Sequence, residues 1–152
     1  MLLFFNLIFA FFMLSEQEKH PIFHKHQNII SDASEVLLFK IHSQAIAPAQ
    51  QDKHKQYAGD YEVVAKIDLK QEQQNDLKKI VLDTKNYVED KKSCPMQAEY
   101  AIKFRKKKHY IILIVSETSC KKSVIISSEK DINRHYHDLA ETNDIHTFLS
   151  KL

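Results

Sequence analysis

Residues Ser93 to Ile126 read SCPMQAEYAIKFRKKKHYIILIVSETSCKKSVII, and the fold turns on how this stretch pairs with itself. Ala98, Tyr100, Ile102 and Phe104 alternate with Glu99, Ala101, Lys103 and Arg105. Side chains along a strand point alternately to its two faces, so this pattern buries one face and wets most of the other. Tyr110 to Val115 is an unbroken apolar run rich in β-branched residues, the pattern of a central strand covered on both faces. Arg105 to His109 lies between them and is too polar to bury, which makes it the hairpin turn. It offers no Gly, Asn or Asp for a positive φ, so a loop longer than two residues is expected.

A turn centred on Lys107 sets Phe104 against Tyr110, Ile102 against Ile112, Tyr100 against Ile114 and Ala98 against Ser116. Carried past the strand ends, the same alignment sets Cys94 opposite Cys120, the two cysteines of the chain. A disulfide at the open end of the hairpin is therefore expected, with Cα atoms within about 7 Å. Pro95 fits there, since it cannot donate to a ladder and belongs at a strand's start or edge. Closing a loop of roughly 25 residues stabilises by about 3 kcal/mol in the chain-entropy model. The competing reading is two reduced, buried thiols acting as small apolar residues. A nucleophilic cysteine would need a base beside it, and the sequence places none of the nine histidines there.

Tyr87, Cys94-Pro95, Tyr100, Phe104 and Cys120, followed by a short strand and a C-terminal helix, carry a resemblance. From about Asp68 onward the chain resembles a group of small uncharacterised exported bacterial proteins with a paired-cysteine hairpin. The resemblance implies secretion and the cysteine pairing, and it implies no reaction.

Composition bounds the rest. A chain of 152 residues is expected to form one domain, and 43% hydrophobic content is enough to bury a core. A net charge of +2 lacks the basic excess of a nucleic-acid-binding face, so no nucleic-acid partner is expected. A single glycine excludes Gly-rich phosphate loops of the Rossmann or Walker type. The lack of Trp removes one common carbohydrate-stacking anchor.

Met1 to Leu14 is apolar apart from Asn6. That is too short to cross a ~30 Å hydrocarbon layer comfortably, and it has the length of a signal-peptide core. No basic residue precedes the run, and Ser15 is the one small residue at its end. The expectation is a signal peptide over residues 1–15, a periplasmic or extracellular product, and no stable transmembrane span once the segment is removed. A retained amphiphilic helix is the alternative. Residues 16–34 are read as a polar, mobile extension before a single α+β domain over 35–152. Within that extension His20 and His24 have helical spacing, and His24 and His26 have strand spacing. No cluster completes a four-ligand set around either pair, so a solvated segment is the preferred reading.

Glu35 to His42 reads as the first strand, and Ser43 to Asp60 as a long polar loop, either a binding loop or a mobile connector. Tyr57-Ala58-Gly59-Asp60-Tyr61 reads as a turn, with Tyr57 and Tyr61 as candidate ligand contacts or caps of a core edge. After a second strand, Glu62 to Ile67, Asp68 is placed as a helix N-cap with Gln71 in the capping-box position. Leu69, Leu77, Ile80, Val81, Thr84 and Val88 then form the apolar stripe of a helix of about four turns, packed on the sheet. Ser123 to Ile126 is a short strand. Asp131 to Glu141 reads as a helix with Ile132, Tyr136 and Leu139 on one face, and Asn143 caps a last helix bearing Ile145, Phe148, Leu149 and Leu152. On a helix His135 and His137 point apart and cannot share a metal, so no site is assigned to them.

This order predicts a two-layer α+β sandwich: a mainly antiparallel sheet of about five strands, a long helix packed on one face, and a C-terminal helix. The functional expectation is a small exported binding or interaction module, stabilised by its disulfide, whose partner is a protein or small ligand. No cofactor, catalytic residue or metal is assigned. The alternative is a His-dependent or metal-dependent hydrolase, which rests on the histidine count. A third reading, an anionic-surface patch from Arg105, Lys106 to Lys108 and Lys121-Lys122, is weakened because the hairpin puts those groups at opposite ends of the strands.

Overall fold

The run from Ile111 to Ser116 is buried along its whole length as β6 (His109–Ser116). It is hydrogen-bonded to β5 (Ala98–Lys106) on one side and β7 (Lys122–Ser127) on the other. A strand with neighbours on both edges and cover on both faces has no place for an unpartnered polar side chain, which explains the unbroken apolar run of Ile111 to Val115. The computed structural model describes residues 22–24, 26–89, 91–128 and 134–152. The segment read as a signal peptide, and His20, lie outside the described residues.

The remaining strands are β1 (Glu35–Ala45), β2 (Tyr57–Ala58), β3 (Tyr61–Ile67), β4 (Tyr87–Val88) and β8 (His135–Leu139). All pairings are antiparallel, in the order β2-β3-β1-β5-β6-β7-β8-β4. The expected sheet of about five strands with a long helix is thereby corrected to an open sheet of eight strands with, among the described residues, three short helices. These are α1 (Gln27–Ser31), α2 (Gln71–Leu82) and α3 (Asp144–Leu149). At 12 residues α2 is about 18 Å long, and it stops before Thr84 and Val88. Asp83 takes an extended backbone and its carboxylate accepts from the Lys85 amide, so the chain turns out of the helix and into β4. The helix also starts later than Asp68. Lys70 is the cap, and its amide donates to the Gln73 side chain at 2.8 Å. Two of the unforeseen strands, β2 and β4, are two residues long, too short to show any period in sequence.

The helices all sit on one face. Ile29 and Ile30 of α1, Leu77 and Val81 of α2, and Ile145 and Leu149 of α3 pack with Val36, Leu38, Ile102, Phe104, Leu113 and Ile125. Phe23, Ala33 and the α1 isoleucines, within the stretch read as a polar extension, are buried in this core.

The opposite face is covered by strand. The register of β1 with β3 shifts twice, between Lys40 and Ile41 and between Ile41 and Ala45, and such bulges bend a strand and increase its twist. The β2–β3 end thus turns over the sheet. Ala58 and Tyr61 join Phe39, Ile41, Ala101, Ile112, Ile114 and Val124 in a second core. Gly59, at φ +64, lies so close to β7 that a Cβ there would come 2.5 Å from Ile126 Cδ1. Asp60 beside it forms an ion pair with Arg134, just ahead of β8. The long polar loop expected over Ser43 to Asp60 is accordingly shortened at both ends by β1 and β2, with a 3₁₀ turn at Pro48–Gln50 between them.

The hairpin register departs from expectation by one residue. Tyr100 to Lys106 pair with Val115 to His109, so the turn is the two residues Lys107 and Lys108, and Lys107 itself takes a positive φ of 55. Phe104 faces Ile111 and Ile102 faces Leu113, instead of Tyr110 and Ile112. Because β6 is apolar on both faces, either alignment gives Ile102 and Phe104 apolar partners, and the expected penalty for a slip is absent. A bulge at Glu99 then absorbs one residue. It restores the expected pairing of Ala98 with Ser116, and the Glu117 amide donates to Gln97 O at 2.8 Å.

Candidate functional site

The bulge sets up the disulfide. With Ala98 opposite Ser116, the offset carries on to place Cys94 against Cys120; they are bonded, with Cα atoms 6.0 Å apart. The hairpin and the bridge were expected to share one alignment; they have two, separated by one extra residue. Beyond β6, the Ser116 hydroxyl donates to Cys120 O and accepts from the Lys122 amide at 2.7 Å, which ties down the turn that carries Cys120. Cys94 holds the chain that precedes β5 against this turn.

That chain braces β8. The Lys92 amide donates to the Asp138 carboxylate, and its ammonium donates to Leu139 O at 2.9 Å and to Glu141 at 2.6 Å. Lys121 reaches Glu141 from the other side at 3.0 Å. Hydrogen bonds from Lys92 and Lys121 pull the Glu141 carboxyl down to about 2. Asn86, wholly buried, ties the same end of the sheet to the helices. Its amide donates to Ile80 O at 2.7 Å, its side-chain oxygen accepts from the Asp144 amide at 2.8 Å, and its carbonyl accepts from Ala140.

A cavity of about 640 Å³ opens where β4 ends against β8. Leu139 faces the helix-side core, so His137 and His135 share that face and Tyr136 and Asp138 take the other. Val88 and Lys122 pair with Asp138 from its two sides, which lays Val88, Asp138 and Lys122 in one row with Tyr136 beside it. Tyr87, Thr84, His137 and Ile22 line the cavity toward the helices, and Glu89, Lys91 and Lys92 line its mouth. Tyr136 is 61% exposed and Val88 37%, two of the four large exposed apolar side chains among the described residues. Tyr87 is firmly held: its hydroxyl donates to Val81 O at 2.8 Å, and burial pushes its phenol far above the ordinary range.

His135 and His137 are on strand β8, which corrects the described part of the helix expected over Asp131 to Glu141; Asp131 and Ile132 lie outside the described residues. Their rings lie on one face with centroids 6.4 Å apart, and His137 meets Tyr87 edge-on at 6.5 Å. Burial, and then the neighbouring His135, pushes the His137 imidazolium toward its neutral form. Among the described residues no three His, Cys, Asp or Glu side chains converge as a metal site would require. His146 serves the fold: its Nε2 donates to Ser116 O at 2.8 Å, fastening α3 to the end of β6. Burial also lowers its pKa.

Tyr57 and Tyr61, the sequence candidates for ligand contact, do not line the cleft. Tyr61 is 6% exposed within the second core, and the Tyr57 hydroxyl accepts from the Asp52 amide at 3.0 Å. Of the basic groups, Arg105 and Lys106 are taken up by Glu35 and Asp32, each at 2.7 Å. No protein-family model, no curated protein and no solved structure matches this chain. Among the described residues no helix is long and apolar enough to cross a membrane.

Sequence reading missed the cleft because Val88 and Tyr136 both fit helical stripes. The signal that would have exposed Tyr136 is the alternation His135, Tyr136, His137, Asp138, Leu139, which contains a single aliphatic residue.

Proposed function

We propose that the protein is a small exported binding module that holds a ligand in the cleft at the edge of the sheet where β4 ends against β8. The observation that carries this reading is the cleft itself. It has the volume of an ordinary small-molecule site, apolar side chains from Ile22, Tyr87, Val88 and Tyr136 in its lining, and a few polar groups at its mouth. Solvent-facing apolar side chains gathered at one concave place are the usual mark of a binding surface. The Cys94–Cys120 bridge is compatible with an oxidising compartment, which is where the N-terminal apolar run would deliver the chain.

The neutral dye Nile red tests the cleft. Its emission should rise and shift to the blue on mixing with the protein, and the Val88→Ser/Tyr136→Ser double variant, folded as judged by its melting curve, should lose most of that change. Equal enhancement by the variant would sink the reading. Export is checked by mass spectrometry of the mature protein from its own host, which should lack about the first 15 residues. A mature product retaining Met1 to Leu14 would overturn it.

A further inference from the structure

We infer that the ligand of this cleft is an extended peptide segment of another protein, added to the edge of β8 in line with β4 and antiparallel to β8, as β4 is; the inference rests on the cleft being the binding site. β8 runs from His135 to Leu139, but β4 pairs only with Asp138 and Leu139. Two hydrogen bonds fix which way the remaining backbone points. The Leu139 amide donates to Lys121 O, on the β7 side, at 2.8 Å, and the Ala140 amide donates to Asn86 O, on the β4 side, at 2.9 Å. Successive residues of an antiparallel strand turn their N–H and C=O to opposite edges, so Asp138 and Tyr136 face the β4 side with Ala140. Val88 stands across from Asp138. Among the described residues no strand residue stands across from Tyr136 on that side.

β4 does not fill that place itself. The chain leaves the sheet after Val88, and by Lys92 it has turned back to the Asp138 carboxylate. The cavity lies where β4 stops, lined by Val88, Tyr136, His137 and Asp138. Charge selects no ion there: Lys91 and Lys122 in the lining are matched by Glu89 and Asp138, and Lys92 is held by Glu141. What stands open at the strand edge is the N–H and C=O of Tyr136, a donor and an acceptor that an extended peptide matches with its own backbone. A residue set across from Tyr136 carries its side chain on the Tyr136 face, in line with Val88. A β-branched aliphatic side chain there covers Val88 and Tyr136, both exposed in the unliganded protein. Its neighbours in the peptide point to the other face, where His137 and Ile22 line the cavity.

The test uses the acetylated, amidated pentapeptide Thr-Thr-Val-Thr-Thr, an uncharged strand former with one apolar side chain to lie across from Tyr136, and the same peptide N-methylated at its valine. Each is titrated into the full chain against the amide signals of Val88, Tyr136 and His137. The parent peptide should shift these signals, and at about ten times its Kd it should slow hydrogen exchange of the Tyr136 amide about tenfold, as the unbound fraction falls. The methylated peptide keeps every side chain and loses the N–H that donates to Tyr136 O, so it should bind about tenfold more weakly. Equal binding of the two, or unslowed exchange at Tyr136, would show that only side chains are held; strand addition then fails and the cleft reading survives. No shift with the parent peptide while Nile red still binds also overturns strand addition and leaves the cleft. If neither peptide nor dye binds, both readings fail. Self-association in sedimentation, with the Tyr136 amide protected in the dimer before any peptide is added, would make a second copy of β8 the occupant and overturn the peptide.

Discussion

The two ends of the sheet finish alike and behave differently. Each terminates in a two-residue strand that begins with tyrosine, Tyr57–Ala58 in β2 and Tyr87–Val88 in β4. The β2 end is folded over and closed: Tyr61 is buried, Gly59 touches Ile126, and Asp60 grips Arg134. The β4 end stays open, and a cavity forms along it. Both ends meet the chain at β8, the first at Arg134 just ahead of the strand and the second at Asp138 and Leu139 within it. The difference lies in what can approach. A residue without a side chain, at the turn, lets one end lie against the sheet, whereas at the other Val88 and Tyr136 stay exposed beside the cavity. An edge that is sealed contributes to stability; an edge with a cavity beside it leaves apolar side chains facing solvent.

The largest expected effect comes from breaking the sealed end. Gly59→Val adds a Cβ that collides with Ile126 and a β-branched side chain at positive φ, which together should cost about 4 kcal/mol in denaturant unfolding. Where the variant is folded, Nile red binding at the other end should be unchanged. Loss of dye binding in proportion to folded protein would show the two ends to be coupled.

Breaking the disulfide acts on the open end. Cys94→Ser or Cys120→Ser should cost about 3 kcal/mol under oxidising conditions and far less in reductant. Because Cys94 anchors the chain that brings Lys91 and Lys92 to the cleft mouth, these variants should also weaken dye binding, which Gly59→Val does not. Cysteine variants that melt like the unaltered protein under oxidising conditions would reject a stabilising bridge.

The smallest effects are those of pH, and they too fall on the open end. The folded pKa of Glu141 is depressed to about 2 from 4.5. Its contribution is therefore present above about pH 4.5 and lost as pH falls toward 2. His137 and His146 are also depressed, from 6.5, so their neutral forms favour the fold above that value, and stability declines as pH drops below it. Thermal melts from pH 7.5 to 3 should show both declines. Glu141→Gln should remove the lower one, and His137→Phe with His146→Gln should flatten the upper one. An acid limb unaltered in Glu141→Gln would mean that the Lys92–Glu141–Lys121 cluster contributes nothing to the fold.

The central hairpin was legible because its residues speak locally. Alternation in Ala98 to Phe104 and the unbroken apolar run of Tyr110 to Val115 identify two paired strands wherever they are placed. The pairing of Cys94 with Cys120 was legible as well, although through an alignment that holds at Ala98 and not at Phe104. Register was beyond the sequence because β6 is apolar on both faces, so a slip by one residue changes no contact from apolar to polar. The tight turn was missed because Lys107 accepts a positive φ that its type disfavours.

The sequence by itself determined that this chain builds an antiparallel hairpin core, bridges its two cysteines, and carries an amphipathic helix to cover the sheet. Only the tertiary structure decided that the sheet has eight strands, because β2 and β4 are defined by their partners and not by any pattern of their own. It also decided the cleft. Val88, Lys122, Tyr136 and Asp138 come from three separate strands, and no local rule places their side chains in one row. Periodicity reports which way a side chain points from its own backbone; what it then faces is set by pairing across the sheet, which the tertiary structure alone supplies.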